Sequence, residues 1–259
     1  MKPKVLTIIT DGINCNVETG RAFSLAGAEN EEVHLNLLLD KTISLLDYDI
    51  LSFSGGFSYG DDVKSGKIFS LKLLKLADDI RKFIDSKKLI IGICNGFQVI
   101  TTLGIVPYGT LGEPKVSLYW NDSAHFECRW VDLLIPENVR SPWLKGLGGK
   151  VIKVQAAHAE GRLVTKTAEE YSELFEKGLV AFQYADPSGR PTENYPFNPN
   201  GSPQGVAGLV DVTGQVIGMM PHPERNAELF HDPRFRELEN DREPDGLKIF
   251  MNAVEYFKS

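Results

Sequence analysis

The chain has 259 residues, 42% hydrophobic and 24% charged, which suits one large α/β domain spanning 1–259 and excludes a disordered or fibrous chain. A formal net charge of −7 argues against a nucleic-acid partner held by phosphate neutralisation. The apolar run that ends at Asp11 is too short for a signal-peptide core or a membrane span, so no membrane association and a cytoplasmic location are expected.

Taken in chain order, residues 5–9 read as a first buried strand, 18–26 as a helix stopped by Gly27, 33–37 as a second strand and 48–53 as a third. From 65 to 83, Ile68, Leu73, Leu76, Ile80 and Phe83 recur at helical spacing, and 89–93 is a fully apolar strand. This alternation predicts a parallel sheet covered by helices. Beyond Leu103 the pattern changes to short strands at 115–118, 128–135, 151–155, 179–183, 206–212 and 216–219, predicting mixed or antiparallel additions to the sheet. The proline-rich stretch 186–203 reads as an ordered loop, and 231–245 as a charged, solvated segment. Leu247, Phe250, Val254 and Phe257 mark one face of a terminal helix capped by Asp245.

The sharpest local signal is Gly92-Ile93-Cys94-Asn95-Gly96 at the end of the apolar strand 89–93. A nucleophile on a tight strand-to-helix turn needs glycines two residues to either side, because neighbouring backbone approaches closely there. A cysteine at a helix start also feels the positive end of the helix dipole, which favours a reactive sulfur. Cys15 and Cys128 lack this setting and read as structural, although Cys15 follows the first strand and can line the same sheet edge; the three cysteines form no CxxC pair and read as free thiols.

A thiol nucleophile needs a proton-shuttling histidine and a carboxylate to orient it. His222 follows an apolar strand, and Glu224 lies two residues on, so in extended backbone the two point the same way, with Pro223 holding that geometry. A polar turn is the plain alternative, and no third ligand at a characteristic spacing completes a metal site. His125 and His158 sit in polar motifs from which either can contact a substrate, while His34 and His231 read as structural or solvated. Acyl transfer also needs N–H donors for the oxyanion, for which Asn95 and the Gly55-Gly56-Phe57 loop after the third strand are placed.

Together the loop, the elbow and the His-Pro-Glu segment resemble the class I glutamine amidotransferases. In Asn14-Cys15, Gly55 to Asp61, Gly92 to Gln98, Phe126-Glu127-Cys128-Arg129, His158 to Arg162, Asn198 to Ser202 and Met220 to Arg225, the chain is similar to the glutaminase subunits of phosphoribosylformylglycinamidine synthase. That resemblance implies a flavodoxin-like α/β fold, with a mostly parallel central sheet flanked by helices and additional short antiparallel strands. It implies catalysis by Cys94, His222 and Glu224, an oxyanion hole at Gly56 and Asn95, and glutamine contacts among Gly55, Phe57, Gln98, Asn121, Ser123, His125 and Phe126. Glutamine would be hydrolysed through a glutamyl thioester and the ammonia passed to a synthetase subunit, with a small accessory subunit in the same complex. No cofactor is expected on this chain, which has no Walker-type loop; ATP and Mg are expected on the synthetase. The alternatives are a glutaminase for another amination pathway, a cysteine hydrolase or peptidase on the same sheet, and a catalytically silent regulatory module.

Overall fold

Strands that are apolar at every position need cover on both faces, and the chain supplies it by placing them in the middle of one sheet. The computed structural model describes residues 2–239 and 242–258. Its first half comprises β1 (Lys4–Ile9), α1 (Asn16–Ala26), β2 (Glu29–His34), α2 (Leu35–Leu39), β3 (Ile50–Phe53), α3 (Lys67–Leu73), α4 (Ala77–Asp85), β4 (Leu89–Ile93) and α5 (Asn95–Leu103). The second half adds β5 (Ser117–Tyr119), β6 (Glu127–Leu134), β7 (Val151–His158), β8 (Arg162–Val164), α6 (Ala168–Glu176), β9 (Val180–Ala185), β10 (Val206–Val210), β11 (Val216–Met219) and α7 (Leu247–Tyr256).

Nine strands form one sheet in the order β2-β1-β3-β4-β11-β10-β9-β6-β7, while β5 and β8 pair as a separate antiparallel ribbon. The β2 to β11 half is parallel and the β10 to β7 half antiparallel, as the change of pattern after Leu103 leads one to expect. Register positions the site: Phe53 of β3 lies opposite Gly92 of β4, and Gly92 opposite Gly218 of β11. The loop after β3, the turn after β4 and the segment after β11 therefore leave the sheet at one carboxyl edge. Among the described residues no helix is long and apolar enough to cross a membrane.

The second strand differs from expectation. It occupies Glu29–His34, and the apolar residues after it form α2 instead, with Leu35 and Leu38 buried and His34 Nδ1 accepting the Asn36 N–H. β2 is an edge strand with a single neighbour, so its polar Glu29, Asn30, Glu31 and Glu32 are tolerated where a central strand would reject them. The single helix expected over 65–83 is broken by a 3₁₀ turn at Leu74–Leu76. Leu73, Leu76, Ile80 and Phe83 are nevertheless all buried, so the periodicity survives the break and could not reveal it. Asp245 does not cap α7, whose N-cap is Gly246. Its carboxylate instead accepts the Lys153 N–H and pairs with Arg242 and Arg234, tying the charged segment to β7. Positions 240 and 241 of that segment lie outside the described residues.

α1 packs on α7 and α3 on α5. Phe23 meets Phe250 edge to face at 4.9 Å, both fully buried, and this contact holds the terminal helix in place. Phe250→Ala is expected to cost about 3–5 kcal/mol and to lower Tm by on the order of 10 °C, measured by thermal unfolding.

Candidate active site

The turn from β4 into α5 sets Cys94 at φ 52°, ψ −108°, a conformation non-glycine residues rarely adopt. Its neighbours enforce it. A Cβ on Gly92 would meet the Gly96 carbonyl, one on Gly96 would collide with the Phe53 carbonyl, and one on Gly218 would enter the Phe97 ring. The Cys94 N–H donates to the Met219 carbonyl at 2.8 Å, and its carbonyl accepts from Gln98 at 3.0 Å. Cys94, 7% exposed, thus sits at the mouth of α5 with little freedom.

His222 and Glu224 follow β11 on the same edge, and both are buried. His222 Nδ1 lies 2.6 Å from Glu224 Oε1, and the His222 N–H donates to the Gln155 carbonyl of β7 at 2.8 Å. Glu224 therefore fixes the Nδ1–H tautomer and leaves Nε2 for the sulfur side. Burial opposes protonation of this imidazole. The Glu224 carboxylate, with Cys94 and Cys15 beside the ring, outweighs burial and holds His222 well above the ordinary histidine value.

One cavity of about 450 Å³ takes in Cys94 and His222 and is bounded by Gly56, Phe57, Gln98 and Phe126. Gly56, at φ 147°, has backbone of Gly12, Ile13 and Asn14 where a side chain would go, so only glycine lets the loops after β1 and β3 meet there. Gly55 faces Cys15 and the His222 ring. Asn95 opens α5, where its N–H has no intrahelical carbonyl to bond. Its side chain accepts the Ser58 N–H and donates to Gln98 Oε1 at 3.0 Å, while Gln98 Nε2 donates to the Glu160 carbonyl at 2.6 Å. The Gln98 amide is thus engaged at both ends and ties α5 to the β7–β8 turn.

Asn121, Ser123 and His125 fall outside the residues that bound the cavity. Asn121 is a buried anchor: its Nδ2 donates to the His125 and His158 carbonyls, and its Oδ1 accepts from Gly161 N–H and His158 Nδ1. Ser123 Oγ accepts the His125 N–H in an exposed turn. His158 borders the cavity, with Nε2 facing the Tyr184 hydroxyl at 3.3 Å. Since Asn121 Oδ1 can only accept, Nδ1 carries the proton and Nε2 accepts from Tyr184. Burial, with His222 nearby, pushes His158 down to about 3, so it is neutral.

The cavity also takes in groups to which the motifs assign no catalytic or binding role. Cys15, read as structural, borders the cavity, as does Cys128, so all three cysteines of the chain reach it. Cys15, His222 and Glu224 bring metal-ligating atoms within 4.8 Å of one another, supplying the third group that sequence spacing did not show. Yet Arg225 Nη2 donates to Cys15 Sγ at 3.3 Å and Glu224 is bonded to Nδ1. A fixed positive charge and an engaged carboxylate make the cluster a poor cation site. Asp61 and Glu160 also border the cavity; burial holds the Asp61 carboxyl above its ordinary value, Glu160 adds to this, and hydrogen bonds from Ser65, Gly66 and Asn95 oppose it.

The family model of the CobB/CobQ-like glutamine amidotransferase domain matches residues 2–257. This chain belongs to that family. Among relatives, a Methanococcus maripaludis protein named phosphoribosylformylglycinamidine synthase subunit PurQ is 43% identical over 98% of this chain and 97% of its own length. A Dehalococcoides mccartyi protein of the same name is 40% identical over 98% of each. A chain in the structure of PurLQS from Thermotoga maritima superposes with a TM-score of 0.75 at 30% identity, covering 99% of this chain and 100% of that one. The glutaminase domain of Trypanosoma brucei CTPS, with bound acivicin, shares the fold at a TM-score of 0.57 and 14% identity. The flavodoxin-like amidotransferase architecture expected from the motifs is therefore the one this glutamine amidotransferase adopts.

The neutral His158 gives the amidotransferase a pH signature. An unfolded histidine takes up a proton as pH falls through about 6.5, whereas folded His158 does not until about 3, so acid favours the unfolded chain between those values. This group alone is expected to lower stability by on the order of 1–2 kcal/mol at pH 5 relative to pH 7. Urea denaturation at both pH values should show a smaller loss in His158→Gln than in the parent chain.

Proposed function

We propose that the chain is the glutaminase subunit of a phosphoribosylformylglycinamidine synthase in purine biosynthesis, one domain over 1–259 that acts in the cytoplasm. The observation that carries the chemistry is Cys94 on its strained turn, in the same cavity as a buried His222–Glu224 pair 2.6 Å apart. The choice of acceptor rests on the shared name of the full-length relatives.

Cys94 attacks the side-chain amide of glutamine while His222 holds the thiol proton. The N–H groups of Gly56 and Asn95 receive the developing oxyanion. His222, kept protonated by Glu224, gives its proton to the departing ammonia and leaves a glutamyl thioester on Cys94. It then activates water, which releases glutamate. Asp61 and Glu160 present negative charge to the α-ammonium group of glutamine, and Gly55, Phe57, Gln98 and Phe126 shape the walls around it. Asn121, Ser123 and His125 act from behind that wall by bracing the turn that carries Phe126.

The chain binds no cofactor of its own in this reading, and ATP with Mg is used on the synthetase subunit, assisted by a small accessory subunit. Phe57, Trp120 and Phe126 stand about half exposed at the cavity mouth, the kind of aromatic rim that anchors a protein partner. Docking there lets ammonia pass directly to the synthetase and gates hydrolysis.

Glutamate release is expected to be slow for the chain alone, to rise with the synthetase and accessory subunits, and to fall on the order of a thousandfold or more in Cys94→Ala. Cysteine-dependent release that ignores the synthetase points to another acceptor. Its absence from every mixture contradicts glutaminase activity and favours a silent module.

A further inference from the structure

A second cavity, of about 550 Å³, opens beside the first, within the size range of small-molecule sites. Its charged lining is wholly cationic: Lys64, Lys67, Lys115 and Lys166 converge on it, with no carboxylate among the residues that bound it. For a chain with a formal net charge of −7 this is a local reversal of sign. Surface lysines usually point apart into solvent, and four facing one concavity repel one another unless an anion lies between them.

The lysines are poorly compensated from within the chain. Among the described residues Lys67 and Lys166 have no ion-pair partner, and Lys115 has only the exposed Glu113, 3.6 Å away. Lys64 is half-buried and donates to Ser117 Oγ at 2.5 Å, so one ammonium is held in place on a neutral hydroxyl. Burial lowers the Lys64 pKa, Glu160 raises it and Lys67 lowers it further. Besides Ser117, Thr102 and Thr165 line the cavity, the Thr165 hydroxyl donating to the Thr167 carbonyl, while Val116, Val164 and Pro114 give it an apolar floor. Ammonium donors over an apolar floor match a ligand with a phosphate end and a flat apolar end.

The two cavities share walls. The segment 61–67 gives Asp61 and Ser65 to the first cavity and Lys64 and Lys67 to the second. The stretch 114–120 runs from Lys115 to Trp120 between them, and 160–166 from Glu160 to Lys166.

We propose that the cavity between Lys64, Lys67, Lys115 and Lys166 is an anion site for a phosphate-bearing ligand of nucleotide size, distinct from the glutamine cavity. The test is calorimetric titration of Mg-free ADP and, separately, inorganic pyrophosphate into the full chain and into Lys67→Gln/Lys166→Gln. Neither of those lysines touches the glutamine cavity. Saturable one-site binding, weakened about tenfold or more in the variant and by added salt, is expected from the loss of two charge-assisted contacts. ADP binding tighter than pyrophosphate assigns the apolar floor to a base and supports the proposal; equal binding leaves the floor without a role and overturns a ligand of nucleotide size. Unchanged thermal unfolding of the variant establishes that it is folded, and Lys115→Glu, at the exposed rim, serves as a second variant should it not be. No saturable binding of either probe, or binding indifferent to these substitutions, overturns the proposal. So does a variant that loses only its association with the synthetase, which makes the patch a protein interface.

Discussion

Everything at the carboxyl edge of the sheet depends on one strained residue. A cysteine at φ 52°, ψ −108° stores about 1–3 kcal/mol and persists only where its surroundings leave no alternative. Here the backbone of β3 and the Phe97 ring press on Gly96 and Gly218, and Met219 holds the Cys94 N–H. The central parallel strands, apolar on both faces, are thus the clamp for Cys94. The antiparallel half holds His222 instead, because β7 carries Gln155, whose carbonyl fixes the His222 backbone, and His158, which forms part of the cavity wall.

Two histidines within one buried region are driven in opposite directions by their partners. His222 meets a carboxylate and two thiols and is held protonated, whereas His158 meets an amide oxygen and a phenol and stays neutral. In the proposed reaction the first arrangement stores a proton for the leaving ammonia, and the second provides rigid hydrogen bonding without adding a repelling charge next to it.

The tight turn at Cys94 was legible in the sequence because its steric requirement is local: glycines on either side of Cys94 at the end of an apolar strand have few other uses. His222 and Glu224 do meet as expected, but extended backbone is not the reason: Glu224 lies in the 3₁₀ turn Pro223–Asn226, which brings its carboxylate back to His222 Nδ1. Cys128, Asp61 and Glu160 were not legible, since their place by the cavity is set by which loops meet across the sheet edge, and no spacing along the chain encodes that, whereas Cys15, directly after the loop from β1, was placed at that edge. The same limit explains β8, three residues long, and the reading of 33–37 as a strand, where leucines two apart concealed a helical turn. The helix α6 did leave a signal, as Thr167 accepts the Glu170 N–H at its start in the Thr-x-x-Glu pattern of a capping box.

The central claim is that Cys94, and neither of the other two thiols that reach the cavity, attacks glutamine. The most direct test treats the chain with an electrophilic glutamine analogue, bearing a diazoketone in place of the side-chain amide, and maps the adduct by peptide mass spectrometry. One adduct on Cys94, suppressed by excess glutamine and absent in Cys94→Ala, is the predicted result. Modification of Cys15, or labelling that glutamine does not suppress, would contradict the assignment.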